Sequence, residues 1–130
     1  MRKIHFRLAA AVASALISTI VFAQSTQEIA VVGTRALTTK EVGRTPTGVT
    51  IVKISLNYGV GVSDLDLAYT TGAAELETRI NNAAMAACKE ITRQYPNAAP
   101  SDEECAKAAA KKAMVKAHEL EAAAAKNAGK

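Results

Sequence analysis

Cys88 and Cys105 are the only cysteines in the chain, and three kinds of chemistry are open to such a pair: redox catalysis, metal binding and a structural disulfide. Redox catalysis normally uses a close Cys-x-x-Cys pair, whereas sixteen residues separate these two. A zinc site needs further ligands, and His118 is the one histidine beyond the N-terminal 23 residues. The pattern therefore favours a structural disulfide and predicts no cofactor and no metal at the cysteines.

Asp64 and Asp66 form a second candidate site. Side chains two residues apart in an extended segment point the same way, and paired carboxylates can bind a divalent cation. Calcium would need more oxygen ligands, however, and a catalytic pair would need two unequal environments. We expect both carboxylates to face water near a helix N-terminus, where negative charge is favourable. Binding of a small ligand or divalent metal at these two residues remains the alternative.

No motif in the chain assembles a catalytic site. None of the serines lies in a Gly-x-Ser-x-Gly elbow. The stretch Gly59-Val60-Gly61 lacks the rest of a dinucleotide fingerprint and lacks a P-loop lysine. The sequence therefore predicts a protein that is not an enzyme.

The N-terminus has the three parts of an export signal. Basic residues without an acidic neighbour precede an apolar run over residues 8–20, and Val21-Phe22-Ala23 offers a cleavage site. The apolar run is shorter than the roughly 20 residues that span a bilayer. We expect residues 1–23 to be a signal peptide cleaved between Ala23 and Gln24. The remaining chain would then be periplasmic or extracellular, with no stable membrane anchor.

Cleavage would change the charge balance of the protein. Three of the 16 Lys and Arg residues lie in residues 1–23, so the rest of the chain carries 13 basic residues against 12 acidic ones. Binding to nucleic acid needs a basic surface, and it is not expected of this nearly neutral chain. Export also places the cysteines in an oxidising compartment, which favours the disulfide.

Two strands are predicted in the first half of the remaining chain. Residues 29–35 contain a short apolar run, and residues 36–48 have the composition of a long loop. Residues 50–58 alternate between apolar and polar side chains, which is typical of a strand with one buried face. That face consists of Val52, Ile54, Leu56 and Tyr58.

Two helices are predicted in the second half. The first starts near Thr70 and stops at Tyr95-Pro96-Asn97, and the second starts at a Ser101–Glu104 capping box. An antiparallel hairpin of these helices would set Cys88 and Cys105 opposite one another. Residues 122–130 have high helix propensity but nothing large to bury, so they are predicted to form a frayed tail.

The segment from Leu56 to Cys105 also carries a series of short motifs. They are Tyr58, Asp64-Leu65-Asp66-Leu67, Gly72-Ala73, Leu76, Arg79-Ile80, Ala83-Ala84 and Cys88, with Cys105 opening an alanine-rich helix. Together with the "IAVVGTR" stretch at residues 29–35, this series resembles the UrcA family of small exported bacterial proteins. Members typically have a Ser-Thr pair where this chain has Ala68-Tyr69. The resemblance implies an exported domain with paired cysteines, and it implies no particular biochemical activity.

The expected fold is α+β, a small antiparallel β-ribbon or sheet packed on a helical hairpin that one disulfide staples. A single domain would span residues 24–121, with a first strand and loop at 24–48 and the core strand and hairpin at 49–121. A small stapled domain without a catalytic motif favours a non-catalytic exported module. Such a module would act by binding a protein or another envelope partner.

Overall fold

The computed structural model describes residues 27–40 and 49–130, and side-chain surroundings within residues 27–37 and 51–130. The predicted signal peptide and its cleavage site at Ala23 and Gln24 lie outside these residues. The described chain forms two strands, β1 (Glu28–Lys40) and β2 (Val49–Gly61), followed by two helices, α1 (Thr70–Gln94) and α2 (Asp102–Ala128). The strands make one two-stranded antiparallel sheet, so the predicted α+β fold is confirmed.

Both strands are longer than the sequence predicts. They pair without a break from Glu28 opposite Gly61 to Lys40 opposite Val49. Residues 36–40, for which the sequence predicts a loop, belong to β1, and residues 59–61 belong to β2. The reason is cross-strand pairing, because a polar segment gains ladder hydrogen bonds once its partner strand lies beside it. Only residues 41–48 of the predicted loop remain outside the described elements.

The sheet has one face toward the helices. Ile29 and Val31 on β1 are buried, and the register sets them opposite Val60 and Tyr58 on β2. Directly opposed residues in an antiparallel pair share a face. The predicted face of Val52, Ile54, Leu56 and Tyr58 is therefore the face that looks toward the helices.

The helices cover β1 more fully than they cover β2. Helix α1 contacts both strands, whereas α2 contacts β1 and α1. As a result, Val52 and Tyr58 keep 45% and 38% of their surface exposed, although they lie on the helix-facing side. The core instead centres on Ile29 and Val31 with the buried stripes of the two helices.

The helical hairpin is held by small residues. The buried positions of α1 are Gly72, Leu76, Ile80, Ala84, Ala87, Cys88 and Ile91, and those of α2 are Cys105, Ala106, Ala109, Ala110, Ala113 and Ala117. Five of the six buried positions of α2 are alanines, which lets the helices approach closely. No helix in the described chain is long and apolar enough to cross a bilayer.

The helix ends follow the sequence signals with one exception. Helix α1 ends at Gln94, before Tyr95-Pro96, and Ser101 begins α2 with both hydrogen bonds of a capping box. Where a frayed tail was predicted at residues 122–130, α2 continues to Ala128. Alanine favours helix, and Leu120 and Ala124 are half-buried, so the last turns have some tertiary support.

Gly33 sets the distance between the sheet and α1. A Cβ atom at this position would lie 3.0 Å from the Ala87 Cβ and 3.2 Å from the Cys88 Sγ. Both atoms belong to the buried face of α1, where they cannot move aside easily. The absence of a side chain therefore allows β1 to lie directly on the helix beside the disulfide.

Candidate functional site

The two cysteines form the predicted disulfide. Cys88 near the end of α1 and Cys105 in the first turns of α2 are bonded, with 6.0 Å between their Cα atoms. Both are buried, with 0% and 2% of their surface exposed. A buried disulfide between two packed helices is a structural staple, and its sulfurs are shielded from a redox partner.

Asp64 is held by an arginine from α1. Both of its carboxylate oxygens accept hydrogen bonds from the Arg79 guanidinium, at 2.8 Å and 2.7 Å. Arg79 also donates to the Glu75 carboxylate at 3.0 Å and to the Gly61 carbonyl at 3.2 Å. The hydrogen bonds from Arg79 lower the pKa of Asp64 below its ordinary value. The carboxylate thus ties the end of β2 and the following turn to α1.

Asp66 shapes the turn before α1. Its Oδ1 accepts a hydrogen bond from the Ala68 backbone N–H at 3.1 Å. Its own backbone carbonyl lies so close to Gly72 that an added Cβ there would clash with it. The two aspartates therefore have separate partners. Within the described ranges, no group of three or more His, Cys, Asp or Glu side chains is placed to hold a metal ion.

An open groove of about 620 Å³ runs past these aspartates. Its floor is formed by the turn after β2 and by the last turns of α2. The lining residues include Gln27, Asp64, Asp66, Leu67, Leu120 and Asn127. The groove combines carboxylate, amide and aliphatic groups, and Asp64 at its rim is already engaged by Arg79.

Arg35 is an organising residue that the sequence reading did not single out. It is a buried charged residue, 5% exposed, on the helix-facing side of β1. Its guanidinium bonds to the Thr92 hydroxyl of α1, the Ala98 carbonyl and the Asp102 carboxylate at the start of α2. Its Nε is buried with no hydrogen-bond partner in the described structure. The two-residue period of a strand could have indicated that Arg35 is buried, because Arg35 falls in phase with Ile29 and Val31.

The outer edge of β2 is unpaired among the described residues. On the other edge of the sheet, Ala36 of β1 exchanges two backbone hydrogen bonds with Ala99, at 2.7 Å and 2.8 Å. Because successive residues of a strand direct their N–H and C=O groups to opposite edges, the register identifies the free groups of β2. Odd-numbered residues from Ile51 to Gly59 direct both groups outward, away from β1.

Apolar side chains flank this free edge on both faces of the sheet. Ile51 is 65% exposed on the outer face, and Val52 and Tyr58 are partly exposed on the helix-facing side. Leu56 and Ile54 between them are half-buried. We call β2's outward backbone groups and these five side chains the β2 edge. It joins unsatisfied main-chain groups to exposed apolar surface.

Comparison of the chain with protein-family models, with curated proteins and with solved structures found no match. Inference about function therefore rests on the chemistry and geometry of the chain itself.

Proposed function

We propose that this protein is a non-catalytic exported module, periplasmic or secreted, that binds its partner along the β2 edge. One observation carries the proposal: a 13-residue strand whose outward backbone groups have no partner among residues 27–40 and 49–130, with exposed apolar side chains beside it. An extended segment can add to such an edge as a further strand, with main-chain hydrogen bonds supplying affinity and side-chain contacts supplying specificity.

The composition of β2 favours an edge that binds another chain over an edge that is protected against pairing. Proteins commonly protect free edges with short strands, prolines, bulges or several charges. β2 has no proline, and Lys53 is its one charged residue. Its pairing with β1 is continuous, without a bulge. An edge of this length and apolarity is an adhesive surface.

The titratable groups of the described chain support a non-catalytic role. The groups whose pKa is shifted from its ordinary value belong to two surface ion pairs, Asp64 with Arg79 and Glu90 with Arg93. Catalytic sites more often combine perturbed groups with a cleft that excludes water. Here each shift is explained by a hydrogen-bonded partner at the surface.

We also propose membership of the UrcA family. The support is that motif residues behind the resemblance contact each other in the fold. Asp64 pairs with Arg79, the Asp66 carbonyl requires glycine at Gly72, and Cys88 is bonded to Cys105. Short motifs whose residues contact each other in one structural unit support the resemblance better than the same motifs scattered over the fold would.

The export part of the proposal has a direct test. The protein is expressed from its full sequence in a bacterial host, and the intact mass of the exported fraction is measured with and without reductant after denaturation. We expect a chain that begins at Gln24 and gains two mass units on reduction, since one disulfide opens. A mass that begins at Met1 would overturn the predicted cleavage.

The binding part is tested by affinity capture with two variants of one residue. Ser55 directs its backbone N–H outward, so Ser55→Pro removes an edge donor without removing a backbone hydrogen bond to β1; the hydroxyl contact between Ser55 and Thr34 of β1, at 3.0 Å, is lost in both variants. Ser55→Ala is the matched control, because it loses the hydroxyl group and keeps the N–H. We expect the wild type and Ser55→Ala to capture the same partner from the envelope and medium of cells that also express an untagged copy of this chain, and Ser55→Pro to lose it.

A folded Ser55→Pro variant that captures the same partner as the wild type would contradict binding at the β2 edge. Circular dichroism and thermal unfolding establish that this variant is folded. Val115→Lys supplies a second comparison, since Val115 is an exposed apolar residue on α2, away from the strand. It should leave capture unchanged.

The second candidate function is binding of a small ligand or divalent cation at Asp64 and Asp66. The groove beside them favours it, and the hydrogen bonds from Arg79 to both Asp64 oxygens oppose it. Calorimetric titration with Ca²⁺ and Zn²⁺ decides the cation case. Binding heat in the wild type that disappears in the Asp64→Ala/Asp66→Ala variant would establish this function in place of ours.

A further inference from the structure

We propose that the partner at the β2 edge is a second copy of this chain, paired antiparallel with β2 about a two-fold axis at Ser55. The two sheets would then join into one four-stranded sheet in the order β1-β2-β2-β1. This inference rests on the proposed function, because it names the partner for the same edge.

The backbone of β2 is complementary to itself about Ser55. This residue is the midpoint of Val49–Gly61, so pairing about it engages all 13 residues, and any other centre leaves an overhang. Ser55 also directs its N–H and C=O outward, as the register requires. Hydrogen-bonded pairs would form once at Ser55 with Ser55, and by symmetry twice each at Lys53 with Asn57 and at Ile51 with Gly59. At two bonds for each pair, about ten bonds link the copies, the usual number for an interface.

The side chains on the helix-facing side are complementary in the same register. Ile54 lies opposite Leu56 of the second copy, and Val52 lies opposite Tyr58. These are the non-hydrogen-bonded pairs of the ladder, in which side chains approach most closely. The pairing would cover the apolar surface that α1 leaves exposed on Val52 and Tyr58. Aromatic and β-branched pairs of this kind stabilise sheets.

Charge also favours this register. Lys53, the one charged residue of β2, lies opposite Asn57 of the second copy. A shift of the axis to Lys53 would set two lysines directly opposite each other, which destabilises a strand pair. The Ser55 register avoids that repulsion.

The position of α1 fits the joined sheet. Neighbouring strands are about 4.8 Å apart, and α1 contacts both β1 and β2. A helix beneath the middle of this strand pair would lie about 10 Å from its two-fold copy, which is the upper end of normal helix packing distances. Two close-packed layers would therefore result, with neither a gap nor a clash between the helices.

The flank of α1 beneath β2 carries small and oppositely charged side chains. Gly33 lies on Ala87 and Arg35 bonds to Thr92, so the axis at Ser55 is level with Glu90 between them. Glu90 accepts a hydrogen bond from Arg93 at 2.6 Å. The two Glu90 carboxylates would face each other across the axis, each paired with Arg93 of its own chain. Because the axis is level with Glu90 and α1 ends at Gln94, the two copies of α1 overlap over residues 86–94, where Ala86 leaves room for the facing helix.

Cysteine crosslinking tests both the partner and the register. Ser55→Cys and Asn57→Cys each add one exposed thiol to the full chain, in which the two native cysteines are already bonded and buried. In the proposed dimer the two Ser55 Cα atoms are about 5.5 Å apart, within the range of a disulfide. The two Asn57 Cα atoms are offset by four residues, or about 13 Å.

We expect Ser55→Cys to form a covalent dimer under mild oxidation at micromolar concentration, at least about tenfold faster than Asn57→Cys, since pairing raises the effective thiol concentration. Sedimentation should show a dimer for the wild type and Ser55→Ala, and a monomer for folded Ser55→Pro. Equal crosslinking rates for the two cysteine variants would overturn the register.

A monomeric wild type would overturn the dimer itself. If that monomer still captures another protein in a manner abolished by Ser55→Pro, the proposed function stands and only the identity of the partner is refuted. If Ser55→Pro changes neither sedimentation nor capture, the β2 edge binds nothing and both proposals fail.

Discussion

At the scale of single residues, Arg35 links four segments of the chain. Its guanidinium joins β1 to α1 through Thr92, to the connection between the helices through Ala98, and to α2 through Asp102. A buried charge is tolerated only when it is paired and hydrogen-bonded. Asp102 supplies the opposite charge from the first turn of α2, where a carboxylate also interacts favourably with the helix dipole.

Replacement of Arg35 by methionine should destabilise the fold. The change keeps the apolar stem and removes the hydrogen bonds to Thr92, Ala98 and Asp102. We expect the free energy of unfolding to fall by about 2–4 kcal/mol, as for loss of a buried charged partner. Urea denaturation measures it. Lys116→Met is the control, because Lys116 forms an exposed ion pair with Glu119 at 2.9 Å, and it should change stability by less than about 0.5 kcal/mol. A similarly small change for Arg35→Met would contradict the structural role.

The Asp64–Arg79 pair should make stability depend on pH. The pKa of Asp64 is lowered in the folded state by the hydrogen bonds from Arg79, against an ordinary value of 3.8. The pair therefore stabilises the fold above that value, and its contribution is lost as the pH falls through the lowered pKa. Asp64→Asn should be less stable than the wild type at pH 7, and the difference should vanish in strong acid.

Urea denaturation at a series of pH values between 2 and 7 measures this difference. Asp66→Asn is the matched control, since an amide oxygen can still accept from the Ala68 N–H. It should change the free energy of unfolding little. A gap between Asp64→Asn and the wild type that stays constant in acid would show that the ion pair is not its source.

At the scale of elements, the contact between β1 and α1 determines how the sheet sits on the hairpin. Gly33 allows the backbone of β1 to approach Ala87 and Cys88 directly. On one side of Gly33, Ile29 and Val31 fill the space between the sheet and the helices. On the other side, Arg35 fills it. Helix α2 then packs against β1 through its alanine face.

Addition of a methyl group at Gly33 should disturb this contact. The new Cβ would lie 3.0 Å from the Ala87 Cβ, so the strand and helix must separate slightly. We expect Gly33→Ala to cost about 1–3 kcal/mol, which is typical of overpacking. Gly61→Ala is the matched control in β2, because nothing lies within 4 Å of its added Cβ. Equal midpoints of thermal unfolding for the two variants would show that the approach at Gly33 is not tight.

At the scale of the whole molecule, a thin core is supported by one covalent link. The two-layer structure buries few large side chains, and many of its core positions are alanines. The Cys88–Cys105 bond closes a loop with a sequence separation of 17 beside the Arg35 network. Small domains with limited apolar burial commonly depend on such staples.

Loss of the disulfide should therefore weaken the whole domain. The double variant Cys88→Ala/Cys105→Ala should lose about 3 kcal/mol, the amount expected from closing a loop of this length in the unfolded chain. Urea denaturation of the variant and the wild type measures the loss. Because both sulfurs are buried, the wild type should resist reductant until it unfolds. Rapid reduction under native conditions would contradict the buried staple.

Much of the fold follows from patterns that are local in sequence. The alternation from Val52 to Tyr58, the apolar stripe of α1, the Ser101 capping box and the stop at Tyr95-Pro96 each specify an element or its end. The disulfide could be inferred as well, because two helices in a hairpin bring Cys88 and Cys105 to the same level. Strand lengths could not be inferred, since pairing energy depends on the partner strand.

The sequence by itself determined the α+β class, the helix boundaries at Gln94 and Ser101, and the pairing of Cys88 with Cys105, because these depend on local periodicity and capping. Only the tertiary structure decided which partners the polar residues have and which of them are buried. It paired Asp64 with Arg79, buried Arg35 against Asp102, and left the outer edge of β2 without a partner in the described part of the chain. Those outcomes depend on which elements pack side by side, and such long-range placement has no signature within any one segment.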